Sequence, residues 1–406
     1  MDKATIVYVR LVFLRIGEID TLNEKYQAHA SIESRWFVPA DKFTYILSSD
    51  DQLRLRKDKS VLLDKYAECC WHPEIYIENS LGDLKEQIKY SAKLGKDVQM
   101  IQICEHRVIK GSFWEKLELQ HFPSDVQDLS ISVASMFYHD KVILIADPLR
   151  LSGVNREAFV DQQEWSLYEH VDTKQRFIKE FVFRTDDAVE NNDDEIDDQQ
   201  MKEVPSSEDR KRSILTVTCH AARQSQYFFW NGYCLILLIT MVSFCTFGIP
   251  LQYAVNRLQV SCTLLLTSIT FRWTVNRSLP TISYLTSLDR YGIAGIFNLV
   301  FHSLWHSTLS AIIWQTTPDY RVPKHSWIEF VDHSMFGVFV SVFIIYHLAM
   351  IIWLYCVPLK YRRRMKQKDV QYRILMQEKI RGNINRSLDS ENSRPSTAAH
   401  ISIEQL

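Results

Sequence analysis

The chain has 406 residues, and its 47 Lys and Arg nearly cancel its 49 Asp and Glu, leaving a formal net charge of −2. That length exceeds what one hydrophobic core usually organises, so two domains are expected, and the charge balance leaves no basic domain for nucleic-acid binding to rest on. The near-neutral sum conceals two solvents: up to about Arg223 the chain is charged and strand-like, whereas Tyr227 to Pro358 holds almost all of the long apolar runs.

Met1 is followed almost at once by the alternating run Ile6 to Phe13, which reads as a strand and not as the charged and then apolar leader of a secretory signal. If the first domain lies outside the cell, either the start is missing or misassigned, or translocation rests on the first membrane helix. Short alternating segments follow at Gln27 to Trp36, Ile101 to Ile109, Leu117 to Gln120, Asp128 to Val133, Val142 to Ile145, Phe177 to Phe183 and Ile214 to Cys219, a spacing that favours an antiparallel sandwich. A helix is expected from Gly82 to Leu94 as a decoration. Asp186 to Asp198 is dominated by Asp and Glu and the chain stays polar to Arg212, which reads as a solvated loop rather than a cation site. Of the eight Cys, Cys234, Cys245, Cys262 and Cys356 fall in apolar segments as small buried residues. Cys69, Cys70, Cys104 and Cys219 lack metal-ligand spacing, so neither a disulfide framework nor a metal or cofactor site is expected.

Tyr227 to Leu251, Leu258 to Val275, Tyr291 to Trp314 and Val331 to Val357 each approach the ~20 residues a helix needs to cross hydrocarbon. Gly248-Ile249-Pro250 closes the first, and the short connection Gln315 to Phe330 makes the last two antiparallel neighbours. Four crossings put both chain ends on one side. Lys360, Arg362, Arg363, Arg364, Lys366 and Lys368 follow the last helix, and the positive-inside tendency would place them in the cytoplasm. Beyond that basic run a helix could extend to about Ile380, and Gly382 to Leu406 reads as disordered.

The second apolar segment is the unusual one. At about 3.6 residues per turn, Gln259, Thr263, Leu266, Thr270, Trp273 or Thr274, and Arg277 share one face, with largely Leu, Val and Ile on the others. Unpaired polar groups are costly in lipid, so this stripe is expected to line water, as in a pore.

Phe122-Pro123-Ser124-Asp125-Val126-Gln127 resembles the loop that names the Cys-loop, or pentameric ligand-gated, ion channel superfamily. In the same order, Trp71 to Asn79 resembles that family's first principal-face loop. Arg223, four residues before Tyr227-Phe228, resembles its approach to the first membrane helix. Leu279-Pro280-Thr281-Ile282-Ser283-Tyr284, with Asp289 and Tyr291 beyond, resembles the link between its second and third helices. The resemblance runs from about Ile6 to Val357. It implies an α+β subunit: an extracellular antiparallel β-sandwich for ligand (1–225), a four-helix transmembrane pore domain (226–357), and then the tail (358–406). Five identical or related subunits would surround one pore in the plasma membrane, with lipid outside and a small-molecule agonist at the subunit boundaries. Glu115 and Leu129 stand where the family usually has its two loop cysteines, as in bacterial relatives, so the loop must be held by packing and by Asp125.

The resemblance makes Leu266 the gate, a ring of side chains that dewets the pore; the other reading is that it packs among adjacent leucines. It joins Asp20, Phe122, Pro123, Asp125, Arg223, Pro280 and Tyr284 in coupling the two domains. Neither an acidic inner ring nor the family's anion-pore Pro-Ala pair is present, and the balance leans slightly to anions. Where agonist-cage aromatics often stand, this chain has Glu78, Met136 and Ser31; Phe137, Tyr138, Phe181 and Phe183 are nearby substitutes or ordinary core residues. An amine ligand with Glu78 as counter-charge, an acid, a metal, or orphan gating all stay open. A non-conducting accessory subunit shares every one of these features. An enzyme reading rests on His302 and His306 at i, i+4 alone, without the further histidine boxes that membrane desaturase-type enzymes need, and helix-packing histidines account for them.

Overall fold

The computed structural model describes residues 4–43, 47–57, 59–95, 99–160, 162–179, 211–277, 282–316, 322–323 and 326–392. The first part is built from eleven strands: β1 (Thr5–Asp20), β2 (Lys25–Pro39), β3 (Val61–Leu63), β4 (Ile75–Ile77), β5 (Ser80–Leu94), β6 (Met100–Trp114), β7 (Val126–Ser135), β8 (Val142–Ala146), β9 (Gly153–Val154), β10 (Trp165–Lys179) and β11 (Lys211–Arg223). One sheet runs β3-β5-β6-β2-β1-β8, with β9 on β1, and the other runs β10-β11-β7-β4. The ladders are antiparallel except where β8 and β9 join β1.

Period-two alternation decides which faces meet. Val7, Val9, Leu11 and Phe13 of β1, Leu129, Ile131 and Val133 of β7, and Leu215, Val217 and Cys219 of β11 all enter one apolar core shared by both sheets. Each such side chain, fully withdrawn from water, contributes about 1.5–3 kcal/mol.

Two sequence expectations are corrected here. Gly82 to Leu94 is strand, not helix: it pairs with β6 over most of its length, Tyr90 and Ala92 are buried in the core at spacing two, and Leu84 and Leu94 pack partly buried against it. Leu84 and Ile88, four apart, imitate a helical face, but Leu84 lies over Gly111 of β6, where a Cβ would meet its Cδ2 at 2.3 Å. Leu117 to Gln120 is not strand either; it is irregular chain whose Leu117 and Leu119 are buried as anchors. The strand expected from Phe177 is the end of β10, and Phe181 and Phe183 lie outside the described residues.

Among the described residues, three helical runs are long and apolar enough to cross a membrane: Gln226–Gly248, Ser287–Thr316 and Trp327–Lys379. Between the first two stands the striped helix, Ala254–Asn276, whose polar content keeps it out of that class. Thr286 and Asp289 cap the Ser287–Thr316 helix reciprocally: the Asp289 N–H donates to Thr286 Oγ1 at 3.1 Å, while the Thr286 N–H donates back to Asp289 Oδ2 at 3.2 Å.

The tail is a further correction. The helix Pro358–Asn392 continues from the Trp327–Cys356 helix past the expected limit at Ile380; 393–406 lie outside the described residues. It packs against β10 instead of trailing into solvent. Lys368 Nζ stands 2.8 Å from Asp172, Arg373 Nη2 2.7 Å from Glu169, Tyr372 donates to the Ser152 carbonyl at 2.7 Å, and Asp369 accepts the N–H groups of Glu169 and His170 at 3.0 Å. The basic run thus shares a side with the sheets. Within it Lys368 is paired with Asp172, while Arg362 and Arg363 donate to backbone carbonyls.

Candidate functional site

The chain brings a cation, three aromatics and two carboxylates together where sheets meet helices. Arg223 ends β11 and is 3% exposed; its Nε lies 3.1 Å from Oδ1 of Asp125, itself 2% exposed. The Arg223 N–H also donates to the Asp125 carbonyl at 3.1 Å, and Gln127 Nε2 donates to Asp125 Oδ2 at 2.5 Å. Glu164 pairs with Arg223 Nη1. The guanidinium lies between the rings of Trp165, 4.1 Å from its centroid, and Phe122, at 5.1 Å, a placement that adds cation–π attraction to the ion pairs. Phe122 in turn meets Phe228 edge-on at 4.6 Å.

The loop carrying Phe122 and Pro123, joined by a cis peptide bond, seats on the helices. Leu119 donates its N–H to the Tyr284 hydroxyl at 2.9 Å, Ser287 Oγ donates to the Gln120 carbonyl at 3.0 Å, and Leu119 and Phe122 share a buried cluster with Tyr233, Ile236, Leu288 and Tyr291. Of the expected coupling set, Phe122, Asp125, Arg223 and Tyr284 are therefore joined, and Pro280 lies outside the described residues. Asp20 is corrected. Its carboxylate turns back onto the β1–β2 turn, accepting from Leu22, Asn23 and the Asn23 side chain; the Asn23 bond leads in holding its pKa below the ordinary value.

Glu164, Trp165 and Ser287 were not anticipated, because no local spacing marks them. Nor was Glu115, which stands where the family places a cysteine. Its carboxylate accepts both the N–H (3.0 Å) and the hydroxyl of Ser130, tying the end of β6 to β7 where a disulfide would otherwise do so. All eight cysteines are free.

On the striped helix, Gln259, Thr263, Leu266, Thr270, Trp273 and Arg277 are all exposed, while Arg257, Ser261 and Ser268 are buried against the chain's own helices. Thr263, Thr267, Thr270 and Thr274 each donate to the carbonyl four residues back, at 2.8–3.0 Å, leaving their oxygens outward as acceptors. The buried back is thus small and polar more than aliphatic, and it is organised by one charge pair. Arg257 Nη1 lies 2.8 Å from Asp332 Oδ2, Arg257 Nε donates to the Ile249 carbonyl at 2.7 Å, and Trp305 Nε1 donates to Asp332 Oδ1 at 3.1 Å. At the other end Arg277 stacks on Trp273 at 4.1 Å. His302 lies among aromatic rings, 4.4 Å from Phe339 and 5.0 Å from Phe244, and His306 Nε2 is 2.8 Å from Thr246 Oγ1.

The expected ligand residues are only partly assembled. Glu78 is paired with Arg176 at 2.6 Å, Met136 is exposed, Phe137 stacks on Trp71 at 6.1 Å, and the Tyr138 ring faces Arg212 at 5.4 Å. Ser31 lies in β2 of the other sheet, opposite Val12 and Val108.

A double sheet is thus joined through a buried Arg–Asp pair to a set of long helices, three of them apolar enough to cross a membrane among the described residues. No protein-family model matches the chain. It is similar to a gamma-aminobutyric acid receptor subunit beta of Caenorhabditis elegans (23% identity over 63% of this chain and 42% of the relative). It is also similar to pH-sensitive chloride channel 2 of Anopheles gambiae (20%; 78% and 47%) and the human gamma-aminobutyric acid receptor subunit epsilon (20%; 80% and 56%). The chain spans about half the length of the curated relatives it matches. These relatives are receptor and channel subunits, in keeping with the resemblance of the sequence to the pentameric ligand-gated ion channel superfamily, and the free cysteines leave the loop without a disulfide.

Proposed function

We propose that five copies of this chain, or of it and related chains, surround a pore in the plasma membrane, with the sheets extracellular and the striped helix innermost. The observation that carries this reading is the stripe itself. Its polar residues are left uncovered by the chain's own helices, together with Val255, Val260 and Ile269, and a neighbouring subunit and water are what such a surface needs in a bilayer. On this reading residues 226–357 are the pore domain, and Ala254–Asn276 is its fourth crossing. Leu266, two-thirds exposed, is the gate. Agonist binding at the subunit boundary near Glu78 and Met136 to Tyr138 is relayed through Asp125 and Arg223 to Tyr284.

The permeant ion is an anion. Arg277 sets a cationic ring at the outer end of the stripe, no carboxylate lies on the exposed face among the described residues, and similar proteins include a chloride channel. Expression in oocytes under voltage clamp, with transmitters and protons applied in turn, tests this. Agonist-evoked current that reverses at the chloride potential and follows chloride substitution is expected; reversal that follows sodium instead overturns the anion assignment. Leu266→Ser lowers the half-maximal agonist concentration by about tenfold, equivalent to ~1.4 kcal/mol in gating, or leaves the pore open at rest. The Glu78–Arg176 pair and the absence of an aromatic at Met136 favour a second reading, an accessory subunit. Silence when expressed alone and current on co-expression with a relative select it.

A further inference from the structure

On the outer face of the four-stranded sheet, under the tail helix, two buried imidazoles stand beside one carboxylate. His170 and His220 are each 3% exposed and stack at 4.7 Å, and Nε2 of each is buried without a hydrogen-bond partner among the described residues. The nearest ligand-type atoms of His170, Asp172 and His220 all lie within 4.8 Å of one another. The other nitrogen of each ring is held by a carboxylate: His170 Nδ1 by Asp369 and His220 Nδ1 by Asp128, the latter at 2.7 Å. A carboxylate on Nδ1 fixes the ring and turns Nε2 toward the cluster, where Nε2 of His220 lies 3.4 Å from Asp172 Oδ2; this is the outer-shell arrangement that orients metal-binding histidines.

Strand geometry builds the cluster. Between Leu167, opposite Ala221, and Val171, opposite Cys219, β10 carries more residues than β11, and this irregularity sets His170 beside His220 with Asp172 two residues on.

We propose that His170, His220 and Asp172 form a binding site for a divalent transition metal of the zinc class, with Asp369 of the tail helix as its outer-shell anchor. The ligand set of two imidazoles, one carboxylate and an open position for water is one that zinc accepts. Donor atoms around tetrahedral zinc stand about 3.3–3.5 Å apart, so the cluster closes by ~1 Å on loading. Lys368 Nζ now lies 2.8 Å from Asp172 Oδ2, and His220 Nε2 lies 3.4 Å from the same oxygen. Zinc takes the two Nε2 nitrogens and an Asp172 oxygen, any proton on those atoms passing to solvent, and displaces the Lys368 ammonium. Loading therefore alters how the tail helix is held on the sheet: the Lys368 contact is lost and the Asp369–His170 contact is strengthened.

The test uses the full chain in detergent, dialysed against Zn²⁺ alone, with Co²⁺ as a spectroscopic probe. One zinc per subunit and the visible bands of four-coordinate cobalt are expected. Asp172 is half exposed, so Asp172→Asn folds normally; it lowers affinity at least tenfold. Asp369→Asn lowers it about 10–100-fold, and Lys368→Ala raises it by removing a competitor for the carboxylate. Binding that persists in the His170→Asn/His220→Asn double variant, absence of bound metal in the wild-type chain, or weaker binding in Lys368→Ala overturns the assignment. None of these readouts depends on whether the pore conducts.

Discussion

Arg223 is the residue on which the junction turns, since one guanidinium satisfies Asp125 and Glu164 and fills the space between Trp165 and Phe122. Removing one member of a buried pair leaves the other charged and unmatched, a loss of about 3–5 kcal/mol. Arg223→Gln and Asp125→Asn should each lower the denaturant midpoint, followed by tryptophan fluorescence, and the double variant should cost less than the sum. Additive losses would show that the two do not act as a pair. Glu115 carries the opposite electrostatic sign. Burial, ahead of its bonds from Ser130, raises its pKa above the ordinary 4.5. An acid whose folded-state pKa is raised penalises folding above that pKa and ceases to do so once the pH falls below the unfolded value. Glu115→Gln should therefore raise the melting temperature at pH 7, with the gain shrinking as pH drops and absent below about 4.5. An equal gain at every pH would assign the effect to packing.

At the scale of elements, periodicity served well where one solvent faced one side. The alternating strands β1, β7 and β11 and the apolar helices were legible because their burial follows their spacing. It failed on β5, exposed over much of its length, where Leu84 and Ile88 mimic a helix while hydrogen bonds to β6 decide the matter. It failed again on the tail, whose partners lie about 200 residues away in β10 and cannot be seen locally. The junction was read in half: Phe122, Asp125, Arg223 and Tyr284 sit in recognisable runs, whereas Glu164 and Glu115 act through contacts that no motif encodes. The histidine cluster was missed for the same reason, with fifty residues and a strand irregularity between its halves. The tail helix makes its own prediction. Asp369→Ala strips the acceptor from two backbone N–H groups, each costing about 1–3 kcal/mol when buried unpaired. Limited proteolysis should then cut within Pro358–Asn392 while the sheets stay intact, and unchanged protection would mean that Met365, packed on Tyr168 and Ala222, holds the helix by itself.

For the whole molecule, the two arginines of the striped helix carry the same charge and do opposite things. Arg257 is spent internally, 2% exposed and neutralised by Asp332, so it adds little field to any central conduit. Arg277 is exposed and stacks on Trp273, with no acidic partner among the described residues. In a ring of subunits these side chains would raise the local anion concentration at the outer mouth, an effect that weakens as salt screens it over about 8–10 Å. Arg277→Glu should reduce chloride conductance severalfold at low salt and move the reversal potential toward that of sodium, with a smaller change at high salt. Arg257→Glu, by contrast, sets two carboxylates against each other in the bundle and should abolish surface expression instead of altering selectivity. Chloride selectivity unaltered by Arg277→Glu would turn that arginine out of the conduit and take the register of the whole stripe with it.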